Sequence, residues 1–178
     1  TVVRDVSDAV MAKGKAGIAK SLDKFVEKGK LAAADRDATL ARLSYVTDVA
    51  ALKNCDIVIE AVTEDLELKN DLWKQLDALC PAHTIFASNT SSLTIAAMAS
   101  ATARADRFVG LHFFNPVPLM QLVEVVRTVT TSMATFDRAL AFGKSLGKEA
   151  VAAKDNSGFI VNLLLVPYLL DAIRALEH

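Results

Sequence analysis

The sequence predicts an α/β protein built around a mostly parallel sheet. Short apolar runs alternate with longer stretches of helical periodicity along the 178 residues, which is the pattern of strands joined by helical connections. Runs such as residues 57–59 and 85–87 lack the polar alternation of half-exposed strands and are typical of strands buried on both faces. With 52% hydrophobic and 23% charged residues, the composition supports a large core and excludes a disordered chain.

Charge and cysteine content narrow the possible classes of protein. The 20 basic and 21 acidic residues nearly cancel, which argues against a nucleic-acid or membrane-surface protein. No apolar run approaches the roughly 18 residues of a membrane span, and no signal peptide is recognisable. Cys55 and Cys80 suit core thiols in a reducing compartment. We therefore expect a cytoplasmic protein.

The elements follow in a regular order. A strand at Val2–Val3 ends at Asp5, and helices over residues 7–28 and 33–42 precede a weak strand at 44–46. The predicted later strands span residues 56–62, 84–87, 108–111, 122–126 and 150–153. The helices between and after them are an amphipathic one with a stripe of Leu68, Leu72, Leu76 and Leu79, one from Ser132 to Gly147, and an apolar one from Phe159 onward that contains Pro167.

Both ends look like positions inside a longer protein. The chain opens at Thr1 directly in a strand-like run. It closes on Leu176-Glu177-His178, which is compatible with native helix or with the start of a histidine tag. We expect a segment of a larger polypeptide.

Ligands of parallel sheets bind beyond the carboxyl ends of the strands, so the residues there are the candidates. Asp5 follows the first strand and could bind the ribose of a dinucleotide, although a helix N-cap is an alternative. The upstream G-x-G-x-x-G fingerprint is not in this chain. Glu64 and Lys69 follow the strand at 56–62, and the five small polar residues 88–92 follow the next. These five suit a ribose or a substrate oxygen, or simply a capped loop.

The sharpest local signal is His112 at the end of an apolar strand, followed by the turn Asn115-Pro116. The chain returns through Glu124, a lone carboxylate in an apolar strand that needs a partner. Two antiparallel strands could bring Glu124 to His112, where a carboxylate would fix the imidazole tautomer. The alternatives are a solvent-facing Glu124 and a structural His112.

Four motifs in order resemble the L-3-hydroxyacyl-CoA dehydrogenases, particularly the bacterial 3-hydroxybutyryl-CoA dehydrogenases. They span residues 88–93, 110–118, 122–125 and 158–162. The resemblance implies a Rossmann-like NAD-binding domain over residues 1–154, without its first strand and glycine-rich turn, and the start of an α-helical C-terminal domain over 155–178. Ser157 and Leu163 depart from the family pattern, which usually has Pro and Arg there.

The resemblance also implies the activity, which is NAD-dependent oxidation of (S)-3-hydroxyacyl-CoA and its reverse, with 3-hydroxybutyryl-CoA as the expected substrate. His112 would be the catalytic base, Glu124 would orient it, and Ser91 and Asn162 would hold the substrate. NAD would be bound by Asp5, Glu64, Lys69, Ser91 and Asn115, and coenzyme A by Ser21, Lys28 and Ser91. Lys13, Lys20, Lys24 and Lys28 share a helix face that could attract phosphates, although with Asp23 and Glu27 it could be an ordinary solvated face.

Several expectations complete this prediction. His83, His112 and His178 show no metal-ligand spacing, so no metal is expected. The apolar C-terminal helix needs a cover, which favours a homodimer. Because the missing first strand would be central in the sheet, we expect the 178 residues alone to bind NAD weakly. The alternatives are a non-catalytic or crystallin-like NAD-binding relative and the dehydrogenase segment of a multifunctional β-oxidation protein.

Overall fold

The computed structural model describes residues 1–177, which form two compact units. The first comprises Thr1–Asn54 and the second begins at Cys55. His178, and with it the prediction about a histidine tag, lies outside the described residues. The predicted division into residues 1–154 and 155–178 stays a prediction.

The first unit is a two-stranded parallel sheet with two helices. β1 (Val2–Arg4) pairs with β2 (Ser44–Val46). Between them run α1 (Asp8–Glu27) and α2 (Ala33–Ala41), and a short 3₁₀ helix spans Val49–Leu52. The Ser7 side chain caps α1 by accepting from the Val10 amide. Gly29, with φ of 64°, ends it in the left-handed conformation that glycine adopts without strain.

The second unit contains a five-stranded sheet in the order β3-β4-β5-β6-β7. The strands are β3 (Ile57–Glu60), β4 (Ile85–Ser88), β5 (Phe108–Phe113), β6 (Leu122–Arg127) and β7 (Glu149–Lys154). All neighbours are parallel except β5 and β6, which are antiparallel. The predicted α/β class with a mostly parallel sheet is therefore confirmed.

Four α-helices accompany this sheet in the described chain. They are α3 (Leu66–Leu79), α4 (Ile95–Ala99), α5 (Met133–Ser145) and α6 (Val161–Glu177), and a 3₁₀ turn spans Ala105–Arg107. Ser132 caps α5 as predicted, through the Thr135 amide. None of the helices within residues 1–177 combines the length and hydropathy that crossing a membrane requires.

The face that α3 buries overlaps only partly with the predicted leucine stripe. Leu76 of the stripe is buried, but Leu68 and Leu79 are exposed, and Lys69 and Trp73 are buried with Leu76 instead. Trp73 packs on Phe86 of β4 and Phe108 of β5, with ring centroids 4.9 Å and 4.8 Å away. The helix therefore presents its largest aromatic ring and its one buried lysine to the sheet, and a pattern of leucines alone could not identify that face.

The strand predicted over residues 56–62 is also shorter than expected, because β3 ends at Glu60. The Val62 amide turns back to donate to Glu60 Oε1, and the Val62 carbonyl accepts from Lys69. A buried polar cluster thus ends the strand and shapes the turn that leads into α3.

Candidate active site

His112 and Glu124 face each other across the antiparallel pair β5–β6. The strand register places the two residues directly opposite, and His112 Nδ1 lies 2.6 Å from Glu124 Oε2. Both residues are buried, with exposures of 4% and 1%. Because a carboxylate only accepts, Nδ1 of the neutral imidazole carries the proton and Nε2 carries the lone pair.

The second oxygen of Glu124 is also bonded. Glu124 Oε1 accepts from the backbone amides of Ile160 and Val161, each at 2.9 Å. These amides lie at the N-terminus of α6, where helix amides lack partners within the helix. The buried carboxylate is therefore satisfied from two sides, by a side chain and by a helix end.

Two aromatic rings flank the His112 imidazole. The Phe114 ring centroid lies 4.5 Å from that of His112, and the Phe159 centroid lies 5.5 Å away. Within the described chain, Nε2 has no hydrogen-bond partner. The imidazole is thus oriented through Nδ1 and contacted by two aromatic rings, while Nε2 stays available for a ligand.

A second buried polar cluster lies where β3 and β4 end. The Lys69 ammonium is 2.6 Å from Glu60 Oε1, 3.1 Å from the Val62 carbonyl and 3.1 Å from Glu64 Oε2. An ammonium has three protons, so these three acceptors account for all of them. Glu60 Oε2 also accepts from the Ser88 hydroxyl at 2.7 Å.

Glu64 connects this cluster to the loop after β4. Its Oε1 accepts from the Thr90 hydroxyl at 2.6 Å and from the Ser91 amide at 2.7 Å. Partial burial raises the pKa of Glu64, but the bonds from Thr90 and Ser91 and the ammonium of Lys69 together hold that pKa below its usual value. The carboxylate, whose side chain is 41% exposed, is therefore ionised and still open to a ligand at neutral pH.

One further contact joins the two clusters. The Asn162 side-chain amide donates to the Ser91 carbonyl at 3.2 Å. Asn162 directly follows Val161, whose amide binds Glu124. Bonded neighbours thus link six of the seven predicted site residues of this unit: His112, Glu124, Asn162, Ser91, Glu64 and Lys69.

The remaining predicted site residues lie elsewhere in the chain. Asp5 follows β1 in the first unit, where its Oδ1 accepts from the adjacent Val6 amide. Ser21 and Lys28 lie along or just after α1, and Lys28 is exposed. Asn115, also exposed, follows β5 and precedes a cis peptide bond to Pro116.

Sequence reasoning missed several residues that build this site. Glu60 is a single carboxylate in an apolar strand, which is the same signal that identified Glu124. It was nevertheless overlooked. Asp155, which accepts from the amides of Ile95 and Ala96 and so fixes the start of α4, had no distinctive context. Phe114 and Phe159 resembled core aromatics.

No group of three or more potential metal ligands occurs among residues 1–177.

The comparisons with known proteins agree with one another. Residues 1–156 match the family described as 3-hydroxyacyl-CoA dehydrogenase, NAD binding domain. The mitochondrial hydroxyacyl-coenzyme A dehydrogenase of Rattus norvegicus is 52% identical over 183 aligned positions, which cover 99% of this chain and 58% of that protein. The 3-hydroxybutyryl-CoA dehydrogenase of Mycobacterium tuberculosis is 44% identical over 98% of this chain and 62% of its own length.

A solved structure extends the likeness to the whole described fold. The crystal structure of (S)-3-hydroxybutyryl-CoA dehydrogenase from Ralstonia eutropha matches with a TM-score of 0.96 and 46% identity, over 99% of this chain and 62% of that one. This chain thus spans about three fifths of the length of these relatives. The match over residues 1–156 and the identities show that the chain belongs to the 3-hydroxyacyl-CoA dehydrogenase family.

Proposed function

We propose that the protein oxidises (S)-3-hydroxyacyl-CoA to 3-oxoacyl-CoA with NAD, and catalyses the reverse reaction, with 3-hydroxybutyryl-CoA as the expected substrate. The observation that carries this proposal is the state of His112. One imidazole nitrogen is bound by a buried carboxylate, and the other has a lone pair and no partner in the described chain. This is the arrangement that a proton acceptor at a strand end requires.

The residues at the strand ends fit a dinucleotide and an acyl thioester. In the second unit, β3, β4 and β5 are parallel, and their carboxyl ends carry an exposed carboxylate (Glu64) and an exposed hydroxyl (Ser91). Ligands of parallel sheets bind at this edge. NAD, when bound, supplies the acceptor for the hydride that leaves C3 of the substrate.

The protein's own task in this reaction is to orient the substrate and move one proton. His112 Nε2 takes the proton of the 3-hydroxyl during oxidation and returns it during reduction. Glu124 keeps the proton on Nδ1 and balances the imidazolium that forms. The Asn162 side-chain amide donates a hydrogen bond to the Ser91 carbonyl. These two residues are proposed to hold the reacting oxygen near His112.

The NAD-binding roles divide into direct and indirect ones. Glu64 and Ser91 have exposed polar atoms for direct contact. Lys69 is almost fully buried and its three protons are bound within the protein, so it supports the cofactor site by holding Glu64 and the Val62 carbonyl. Asp5 and Asn115 are proposed as further NAD contacts on the family resemblance.

Coenzyme A is proposed to bind through Ser21, Lys28 and Ser91. Lys13, Lys20, Lys24 and Lys28 are all exposed, so their ammonium groups are accessible to phosphates. Asp23, one of the acidic residues beside them, is paired with Arg36 of α2 at 2.9 Å. That pairing reduces the repulsion that this carboxylate would exert on an anionic ligand.

A homodimer and a cytoplasmic location are proposed alongside this activity. α6 exposes many large apolar side chains, including Leu164 and Leu169, and such a surface favours a cover from another chain. Sedimentation of the native polypeptide tests the dimer, and a monomer at working concentration would contradict it. Fractionation of the source cells tests the location.

The test of the activity uses the native polypeptide that contains these 178 residues. NADH formation from (S)-3-hydroxybutyryl-CoA and NAD is measured for the wild type, for His112→Gln and for His83→Gln. The His112 variant should lose about 10²- to 10⁴-fold in kcat, the usual contribution of a positioned acid or base. His83 is exposed, so its variant should match the wild type.

Two outcomes would contradict the proposal. A wild type that binds NAD without turnover would favour the non-catalytic, crystallin-like alternative. Full activity of His112→Gln would remove His112 from the mechanism. Separately, titrating the 178-residue chain with NADH tests the expectation of weak binding, which affinity in the micromolar range would contradict.

A further inference from the structure

Glu124 receives hydrogen bonds at both of its oxygens from groups that can only donate in this arrangement. The Ile160 and Val161 amides donate to Oε1. His112 Nδ1 donates to Oε2. Glu124 is almost fully buried, so neither oxygen can exchange these partners for water without opening the structure.

We propose that the first turn of α6 is a positioning element for His112. Its two amides require an acceptor and thereby decide which end of the residue-124 side chain faces the imidazole. The part of this inference that concerns turnover rests on the proposed function, whereas the part that concerns the imidazole tautomer does not. Position 124 must therefore hold a carboxylate, since only a group that accepts at both ends satisfies the helix and the histidine together.

The substitution Glu124→Gln keeps the size of the side chain but removes one of its two hydrogen-bond acceptors, so it tests this requirement most directly. A glutamine has one accepting oxygen and one donating NH₂ group. The two α6 amides bind the oxygen, which leaves the NH₂ group facing His112 Nδ1. Nδ1 must then accept, the proton moves to Nε2, and the nitrogen that should receive the substrate proton is blocked.

The turn before α6 explains why these amides reach Glu124. Gly158 has φ of 76° and Phe159 has φ of 51°, so two successive residues are left-handed. That conformation is unfavourable for phenylalanine. It directs the Phe159 ring against the His112 imidazole, 5.5 Å between centroids, while the next two amides bind Glu124. The same turn thus contacts both members of the pair.

The test observes the imidazole directly. Side-chain ¹⁵N spectra of the histidine-labelled native polypeptide are recorded for the wild type and for Glu124→Gln, with His112→Gln identifying the resonances. The wild type should show protonated Nδ1 and bare Nε2, and the glutamine variant should show the reverse. A variant that keeps protonated Nδ1 would overturn the inference, because the amide oxygen would then face His112 despite α6. Neither spectrum requires substrate, so an inactive protein would not affect this outcome.

A second variant removes one amide and leaves Glu124 in place. Val161 is the first residue of α6, where proline is tolerated and lacks the N–H. In the native polypeptide, Val161→Pro should lower kcat several-fold and leave KM for the acyl-CoA nearly unchanged. Met133→Pro is the matched control, since Met133 is the first residue of α5. Equal kcat values for the two proline variants would contradict the inference.

Discussion

The second unit contains two buried ionic clusters, one around Lys69 and one around His112. They differ in whether every polar group of the cluster has a hydrogen-bond partner within the described chain. Around Lys69 every ammonium proton has an acceptor in the protein. Around His112 the carboxylate is fully bonded, but the imidazole has a partner at Nδ1 alone in the described chain. A saturated cluster can only hold its surroundings, whereas a cluster with one unsatisfied nitrogen can exchange a proton with a ligand. Because both clusters are buried, burial alone does not show which of them supports the fold and which can react with a ligand.

The largest effect on stability is expected from breaking the saturated cluster. Lys69→Met leaves the Glu60 carboxylate buried without its cation, which should lower the free energy of unfolding by about 3–5 kcal/mol. Urea unfolding of the 178-residue chain measures this loss. Lys74→Met is the control, because Lys74 pairs with Asp71 at the exposed surface, and such a pair contributes about 0–1 kcal/mol.

The same experiment sharpens the comparison when His112→Gln is included. The His112 variant should lose less free energy of unfolding than Lys69→Met, because Glu124 keeps its hydrogen bonds from the Ile160 and Val161 amides. If the His112 variant were the less stable of the two, the assignment of the Lys69 cluster to support would be wrong.

A moderate effect is expected at Asp155, which lies in neither cluster but fixes the start of α4. Its carboxylate accepts from two amides at 2.8 Å and 2.7 Å. Asp155→Ala should therefore lower the free energy of unfolding by about 1–2 kcal/mol, the upper range for a helix cap. Ser132→Ala is the reference, since Ser132 caps α5 through one longer bond of 3.2 Å. A smaller loss for Asp155→Ala than for Ser132→Ala would show that this cap is dispensable.

The smallest effect is expected at Glu64 and depends on pH. The pKa of Glu64 in the folded chain is lowered from 4.5, since the bonds from Thr90, Ser91 and Lys69 outweigh the opposing effect of burial. Its contribution to stability is therefore present above pH 4.5 and is lost as the pH falls through the folded-state pKa.

Urea midpoints of the wild type and Glu64→Gln measure this contribution. The wild type should be the more stable protein at neutral pH, and the difference should shrink on acidification below pH 4.5. Glu67→Gln serves as the control, because Glu67 is an exposed carboxylate in the first turn of α3, three residues after Glu64. A difference between wild type and Glu64→Gln that grows on acidification would contradict the assigned direction of the pKa shift.

Sequence reasoning predicted the pairing of His112 with Glu124 but missed most of the groups that surround the pair. His112 and Glu124 could be proposed as a pair because both stood out in apolar strands joined by a short connection, and the structure places them directly opposite each other. The leucine stripe of α3 identified the buried face only in part, since Leu76 is buried but the helix also turns Lys69 and Trp73 inward. The Ile160 and Val161 amides could not be foreseen, since every residue but proline carries such a donor and only the chain path selects these two.

The measurement that tests the central claim most directly compares Lys69 with His112 during ligand binding. The native polypeptide, labelled with ¹⁵N in lysine and histidine side chains, is titrated with NADH and then with a 3-oxoacyl-CoA. The distinction between the two clusters predicts that the His112 Nε2 resonance moves and that the Lys69 Nζ resonance does not. Movement of Lys69 with an unchanged His112 would contradict it.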